Sequence, residues 1–366
     1  EYYKHGYMNL VGFASIGSRY GERIGITQGA IGPTGYDGQF AYYLALRPDL
    51  ITSCAHDIAT CPLDNLREMR AERILYPITA RLLAFGQSSL LPLMLLLLNF
   101  VAILVTAALL GQLCVEQVAS RWLGTAAGLF TGEALAFTRD LNDPYALMWL
   151  VLAVYLARKE RWRWSAVAIA AALLTREQLV LLIPFIALPL LAQRSWRTLV
   201  WFGAIALAPF LAWQIALRVL YGAWALLNGD SHIAGLAPIP FGGFWQTRGS
   251  GDFKLIAATV ALPLVIALVI AALALRRNGI RSLLRDPLPA MVIAYCLLAS
   301  LLSPLQWVDV YGPGRLAAPG IVLAVLVSIS VARPLRAAYA LLLAGPTVLA
   351  LFTNINFLLG AHPHFT

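Results

Sequence analysis

Ten apolar runs follow one another along this chain, and that succession constrains the fold more tightly than any motif in it. They occupy residues 88–112, 122–137, 145–157, 164–175, 178–192, 199–217, 253–275, 288–303, 316–331 and 337–352. A hydrocarbon core about 30 Å thick offers the backbone no water, so a crossing segment must satisfy its own hydrogen bonds. Long apolar runs do so as helices. Of the 366 residues 60% are hydrophobic and 12% charged, about half the charged share of a soluble domain. We therefore expect an all-α fold, a polytopic membrane helix bundle with ten spans in this chain. The runs 145–157 and 164–175 are short for spans and are expected to be extended by their flanks, tilted, or sunk in protein. No short-period repeat is visible, which removes solenoids and propellers.

Basic residues orient such a bundle, because loops rich in Lys and Arg stay in the cytoplasm. Alternate loops carry Arg121, then Arg158, Lys159, Arg161 and Arg163, then Arg194 and Arg197, then Arg276, Arg277, Arg281 and Arg285, then Arg333 and Arg336, thirteen in all. The opposite loops hold six: Arg139, Arg176, Arg218, Arg248, Lys254 and Arg315. Residues 1–87 are thereby placed outside, with Asp140, Asp143, Glu177 and Asp309. The net charge of +9 reports this topology and contact with anionic lipid, and carries no implication of nucleic-acid binding. A polar segment that starts at Glu1 and lies outside needs a preceding span or signal, so an eleventh helix is expected ahead of it.

The organisation expected is a first external loop over 1–87, followed by a single integral membrane domain over 88–366 with a glycine-rich external loop at 221–252. Within the first loop, the patches 40–46 and 74–85 suit helices lying in the membrane interface. Trp307 and Tyr311 are placed like interfacial anchors. Cys54 and Cys61 share the external loop, where a disulfide could persist, although spacing alone does not bring them together. Cys114 and Cys296 read as packing residues. His56, His232, His362 and His364 show no ligand spacing, so no zinc site is expected.

Few charges interrupt the apolar pattern, and they gather on the outer side. Asp37 lies in Gly35-Tyr36-Asp37-Gly38-Gln39, where glycines permit a tight turn that aims the carboxylate outward; an ordinary Asp-Gly surface turn is the plainer alternative. The loop Arg139-Asp140-Leu141-Asn142-Asp143-Pro144 fixes two more carboxylates at the membrane surface. Asp143 before Pro144 suits a helix N-cap, which leaves Asp140 as the better functional candidate. Arg176 and Glu177 sit between apolar runs, where an uncompensated charge costs roughly 2.5 to 3.5 kcal/mol. As sequence neighbours they point apart on a helix, so at least one is expected to line a cavity, and Glu133 follows the same argument. Arg315, after Gly312-Pro313-Gly314, presents a fork of donors matched to phosphate oxygens, or simply snorkels to the interface.

In this layout the chain resembles the GT-C superfamily of integral-membrane glycosyltransferases, which includes protein O-mannosyltransferases, oligosaccharyltransferases and lipid A aminoarabinose transferases. The likeness rests on Asp37 in the first external loop, on Asp140 and Asp143 in the next, on Gly-Tyr-Asp-Gly-Gln-Phe and Arg73-Ile74-Leu75-Tyr76-Pro77, and on the alternating bundle. The resemblance implies a polyprenyl-phosphate sugar as donor, used on the extracytoplasmic side of a bacterial plasma membrane, with inversion at the anomeric carbon. Asp37 would be the general base. Asp140 would hold the acceptor, or share a divalent cation with Asp37, since some members use Mg or Mn and others use no metal. Arg315 and Arg176, with Arg73 behind them, would face the departing lipid phosphate; Glu177, Asp143, Tyr36 and Gln39 would complete the substrate site. No sizeable soluble domain follows the last apolar run, which favours a lipid-linked or cell-envelope glycan over a protein as acceptor.

Two other classes compete. A secondary transporter or lipid-glycan flippase also carries charges in a helical bundle, but such sites tend to lie near mid-membrane on interrupted helices. A non-catalytic scaffold of an envelope-synthesis complex accounts for the bundle and leaves Asp37 without a role.

Overall fold

The computed structural model describes residues 10–26, 33–63, 66–227 and 236–358, with backbone alone over 349–358. Asp64, His232, His362, His364 and most of the tail lie outside the described residues. The chain is all-α, and its packing resolves into two compact units: Glu1–Ile103 with Ala136–Leu236, and Leu104–Leu135 with Ala237–Thr366.

Among the described residues, four helices are long and apolar enough to cross a membrane: Ser88–Glu116, Trp196–Tyr221, Phe253–Asn278 and Tyr311–Ser328. At 1.5 Å per residue, 26 residues reach roughly 39 Å, ample for a tilted crossing. Only 28% of the apolar window of Ser88–Glu116 and 22% of that of Trp196–Tyr221 is buried, against 94% for Tyr311–Ser328. The first two therefore present apolar surface outward, while the last is enclosed by protein.

Of the other apolar runs, 337–352 lies within a continuous helix of 26 residues, Arg333–Leu358, with Pro346 inside it, and the remaining five form shorter or interrupted helices. The run 122–137 breaks into Trp122–Gly128 and Thr131–Phe137. The run 178–192 opens as a 3-10 segment, Glu177–Leu182, before Ile183–Ala192, which carries Pro189 inside it. Trp162–Thr175 and Leu288–Ser300 are helices of 14 and 13 residues. Asp143–Arg158 and Trp162–Thr175 pair as a helical hairpin in which Ser165 Oγ donates to Ala153 O at 2.8 Å. Most of both helices is buried, in line with short helices sunk in protein.

In the first unit, Gly38–Leu46 is almost wholly buried, so this patch belongs to the core and does not rest on the membrane surface. Leu75–Leu83 does keep two faces: Tyr76, Pro77 and Ala80 point inward, while Leu82, Leu83 and the following Phe85 are exposed. Cys54 and Cys61 are bridged. Arg67 donates to the Cys54 carbonyl and Arg23 to that of Cys61, tying the bridged loop to its unit.

In the second unit, Tyr311–Ser328 packs on Leu288–Ser300, and Gly320 permits the approach, since a Cβ there would lie 2.6 Å from Cys296 Sγ. Trp307 is fully buried, packed against Phe241 and Phe244. It is a core residue and no interfacial anchor; the exposed aromatic of that cluster is Trp245.

Candidate functional site

Two backbone arrangements in the first unit bring Asp37 and Asp140 to one cavity. The first is the entry to Gly38–Leu46. Gly35 adopts a φ of +64°, and a Cβ there would stand 2.3 Å from the Gly17 nitrogen and 2.4 Å from the Ser15 carbonyl oxygen. A Cβ on Gly38 would lie 1.9 Å from the carbonyl oxygen of Arg139. These glycines thus serve close packing of backbone on backbone, which sets the start of the helix directly against the 139–142 turn. Asp37 occupies the N-cap position, yet its carboxylate makes no capping bond. It faces Arg70 instead, Nη1 to Oδ1 at 2.9 Å.

The second arrangement is the turn itself. The Asp140 N–H donates to Phe137 O at 3.3 Å and the Leu141 N–H to Ala136 O at 3.0 Å, with Asp140 at φ +48°. This is a Schellman termination with Asp in the left-handed position that glycine usually fills; Asp tolerates it better than most residues. Asn99 Nδ2 donates to Leu141 O at 2.9 Å and Asn142 Nδ2 to Thr175 O at 2.5 Å, so the turn is held on both sides. Asp140 is fully buried, and neither carboxyl oxygen has a hydrogen-bond partner among the described residues. Burial pushes its carboxyl well above the usual carboxylate range, which favours the protonated form.

The small cavity between them, about 30 Å³, is lined by Asp37, Phe40, Arg70, Arg73, Asp140 and Asn142, with Ala41 and Leu141. Arg70 sits over the Phe40 ring at 4.2 Å. Arg73 engages Glu177 through both carboxylate oxygens, Nε at 3.0 Å and Nη2 at 2.8 Å. Arg176 lies 3.2 Å from Asp143. Arg176 and Glu177 thus each pair with a partner distant in sequence. Asp143 opens the helix Asp143–Arg158 from within it, the N-cap position falling on Asn142, and its carboxylate goes to Arg176.

Of the remaining residues expected at the site, Gln39 is committed to the loop: its Oε1 accepts from the Gly17 N–H at 3.0 Å and from Tyr43 Oη at 3.2 Å, and its Nε2 donates to Thr34 O at 2.8 Å. The Tyr36 ring stacks under Arg139. Arg315 and Glu133 are buried in the second unit. Arg70 is the residue that sequence reasoning missed, although Arg67, Arg70 and Arg73 recur at the i, i+3 spacing that places side chains on one helix face.

Glu72 is a second addition. It is fully buried, and its Oε1 accepts from Gln214 Nε2. Burial, with the charge of Glu177 nearby, pushes it up to about 9. The folded state therefore retains a proton that the unfolded chain releases near 4.5. Its contribution to stability is full below the lower value, declines as pH rises, and is lost once pH passes the upper one. Glu72→Gln should flatten this alkaline loss, measured as the unfolding temperature of the purified protein across that window.

Among the described residues no group of three His, Cys, Asp or Glu side chains comes together. The two carboxylates of the cavity share it with two guanidiniums, one of them on Asp37. That donor set does not fit a divalent-cation cage, and no step is derived through one. Comparison with protein-family models, with curated proteins and with solved structures finds no match to this chain.

Proposed function

We propose that this chain is an integral-membrane glycosyltransferase of the GT-C type, moving a sugar from a polyprenyl-phosphate donor to a hydroxyl of a lipid-linked or cell-envelope glycan on the extracytoplasmic face. The observation that carries the reading is a single cavity with two carboxyl groups in unlike surroundings, Asp37 ion-paired with Arg70 and Asp140 fully buried, with burial disfavouring its charged form. Environments that divide two like groups in this way are how a site obtains a base and a hydrogen-bond donor from one residue type.

In this reading the acceptor oxygen attacks the anomeric carbon while its proton passes to the Asp37 carboxylate. The bond from that carbon to the phosphate oxygen breaks, with inversion, and the lipid phosphate leaves with the electron pair. Guanidiniums on the cavity wall stabilise the charge that develops on it. Protonated Asp140 donates a hydrogen bond to a sugar hydroxyl and orients it. Asp37 and Asp140 belong to none of the four long apolar helices, whereas transporter sites tend to lie on interrupted membrane helices. The shorter apolar helices would complete the bundle of ten spans, or eleven with a preceding one.

The test uses liposomes holding the purified protein, a polyprenyl-phosphate sugar labelled in the sugar, and a cell-envelope lipid extract as acceptor. Label should move to the extract as free polyprenyl phosphate accumulates. Intact donor crossing the bilayer with its sugar-phosphate bond unbroken would reject the transferase in favour of a flippase.

A further inference from the structure

A base that is already ion-paired is a poor proton acceptor, and the cavity as it stands pairs Asp37 with Arg70 at 2.9 Å. The same cavity must neutralise a phosphate that gains charge as it departs. Its charged lining consists of Asp37, Arg70 and Arg73, while burial disfavours the charged form of Asp140. Arg73 is clamped through both oxygens of Glu177, which is fully buried. A bidentate pair away from water is costly to open. The Asp37–Arg70 pair differs in its carboxylate, which is 24% exposed where Glu177 is fully buried, so water and an incoming ligand can reach it.

We propose that Arg70 is a partner-switching residue: it pairs with Asp37 until the phosphate of the donor enters the cavity, then transfers its guanidinium to that phosphate and releases the carboxylate from the pair. This rests on the transferase reading above and deepens it, since it makes donor binding the event that creates the base. The donor's phosphodiester competes for the guanidinium because its two free oxygens match the two parallel N–H donors of Arg, and the hold tightens as the departing phosphate gains charge. Phe40, under the guanidinium at 4.2 Å, supplies a face on which Arg70 can turn without leaving the cavity. The donor then binds before the acceptor, and an acceptor arriving first meets a carboxylate that is already occupied.

The experiment measures carbodiimide labelling of Asp37 in the full chain in nanodiscs, read by peptide mass spectrometry, with binding of each probe followed separately by native mass spectrometry. The probes are undecaprenyl phosphate, undecaprenol and inorganic phosphate. Undecaprenyl phosphate should raise labelling at Asp37 severalfold and undecaprenol should not. A rise with inorganic phosphate as well would show that the anion alone throws the switch, whereas a rise with the lipid only would show that its chain is needed for delivery; both support it. Arg70→Ala should label rapidly with or without lipid. Arg70→Lys, which keeps the charge and loses the fork, keeps the construction testable if the alanine variant folds poorly: its labelling should start higher and respond less. Binding of undecaprenyl phosphate with no rise at Asp37 would overturn the switch and leave the transferase standing. Binding no tighter than that of undecaprenol would instead remove the polyprenyl-phosphate donor itself.

Discussion

Asp37→Asn is expected to lower sugar transfer by about 10²- to 10⁴-fold, the span that a positioned general base contributes, while the protein still folds and inserts. Asn keeps the shape of the side chain and an oxygen that Arg70 can bond, so the entry to Gly38–Leu46 and its packing on the Arg139 carbonyl are undisturbed. A neutral hydrogen bond to the same guanidinium takes the place of the lost ion pair, so the chain is expected to fold. Turnover in purified membranes, beside the unfolding temperature of the same preparation, separates the two effects. A variant that turns over normally would remove Asp37 from the chemistry, and with it the proposed reaction.

How far this site is legible in sequence depends on whether each residue acts through its neighbours or across the fold. Asp37 is legible because a carboxylate between glycines at the edge of an apolar chain has few plain explanations. The glycines do something other than expected: Gly35 and Gly38 admit backbone from residues 15–17 and 139, contacts that local sequence does not contain. Asp140 is legible as a surface carboxylate, but its burial comes from the turn folding under Gly38 and being tied by Asn99 and Asn142. Arg70 and Glu72 are hidden in the run 67–73, which reads as a solvated charged face. Their partners, Asp37 and Gln214, are 33 and 142 residues away in sequence. The apolar runs give the helices well and the spans less well, because composition marks what avoids water without separating lipid from protein as the alternative. Tyr311–Ser328, enclosed along nearly its whole length, and Trp196–Tyr221, largely open, look alike as sequences.

Arg73→Ala is expected to destabilise the protein by roughly 3 to 5 kcal/mol, the cost of removing one partner from a buried ion pair. Glu177 is fully buried, and Arg73 meets both of its oxygens. Without that cation its charge stands beside Glu72, whose proton Glu177 already helps to hold in place. The pair also joins the segment after Arg67–Glu72 to the start of the 3-10 segment Glu177–Leu182, so its loss reaches a wall of the cavity. Replacing both residues by apolar ones of similar size, Arg73→Met with Glu177→Leu, should recover most of the loss, because no charge is then left in a dry site. The unfolding temperatures of the two single variants and of the double variant measure the coupling directly. Stability in the double variant with transfer still absent would show that Arg73 serves the phosphate as well as the fold. If Arg73→Ala alone proved as stable as the native chain, the bidentate pair would not be what holds this wall.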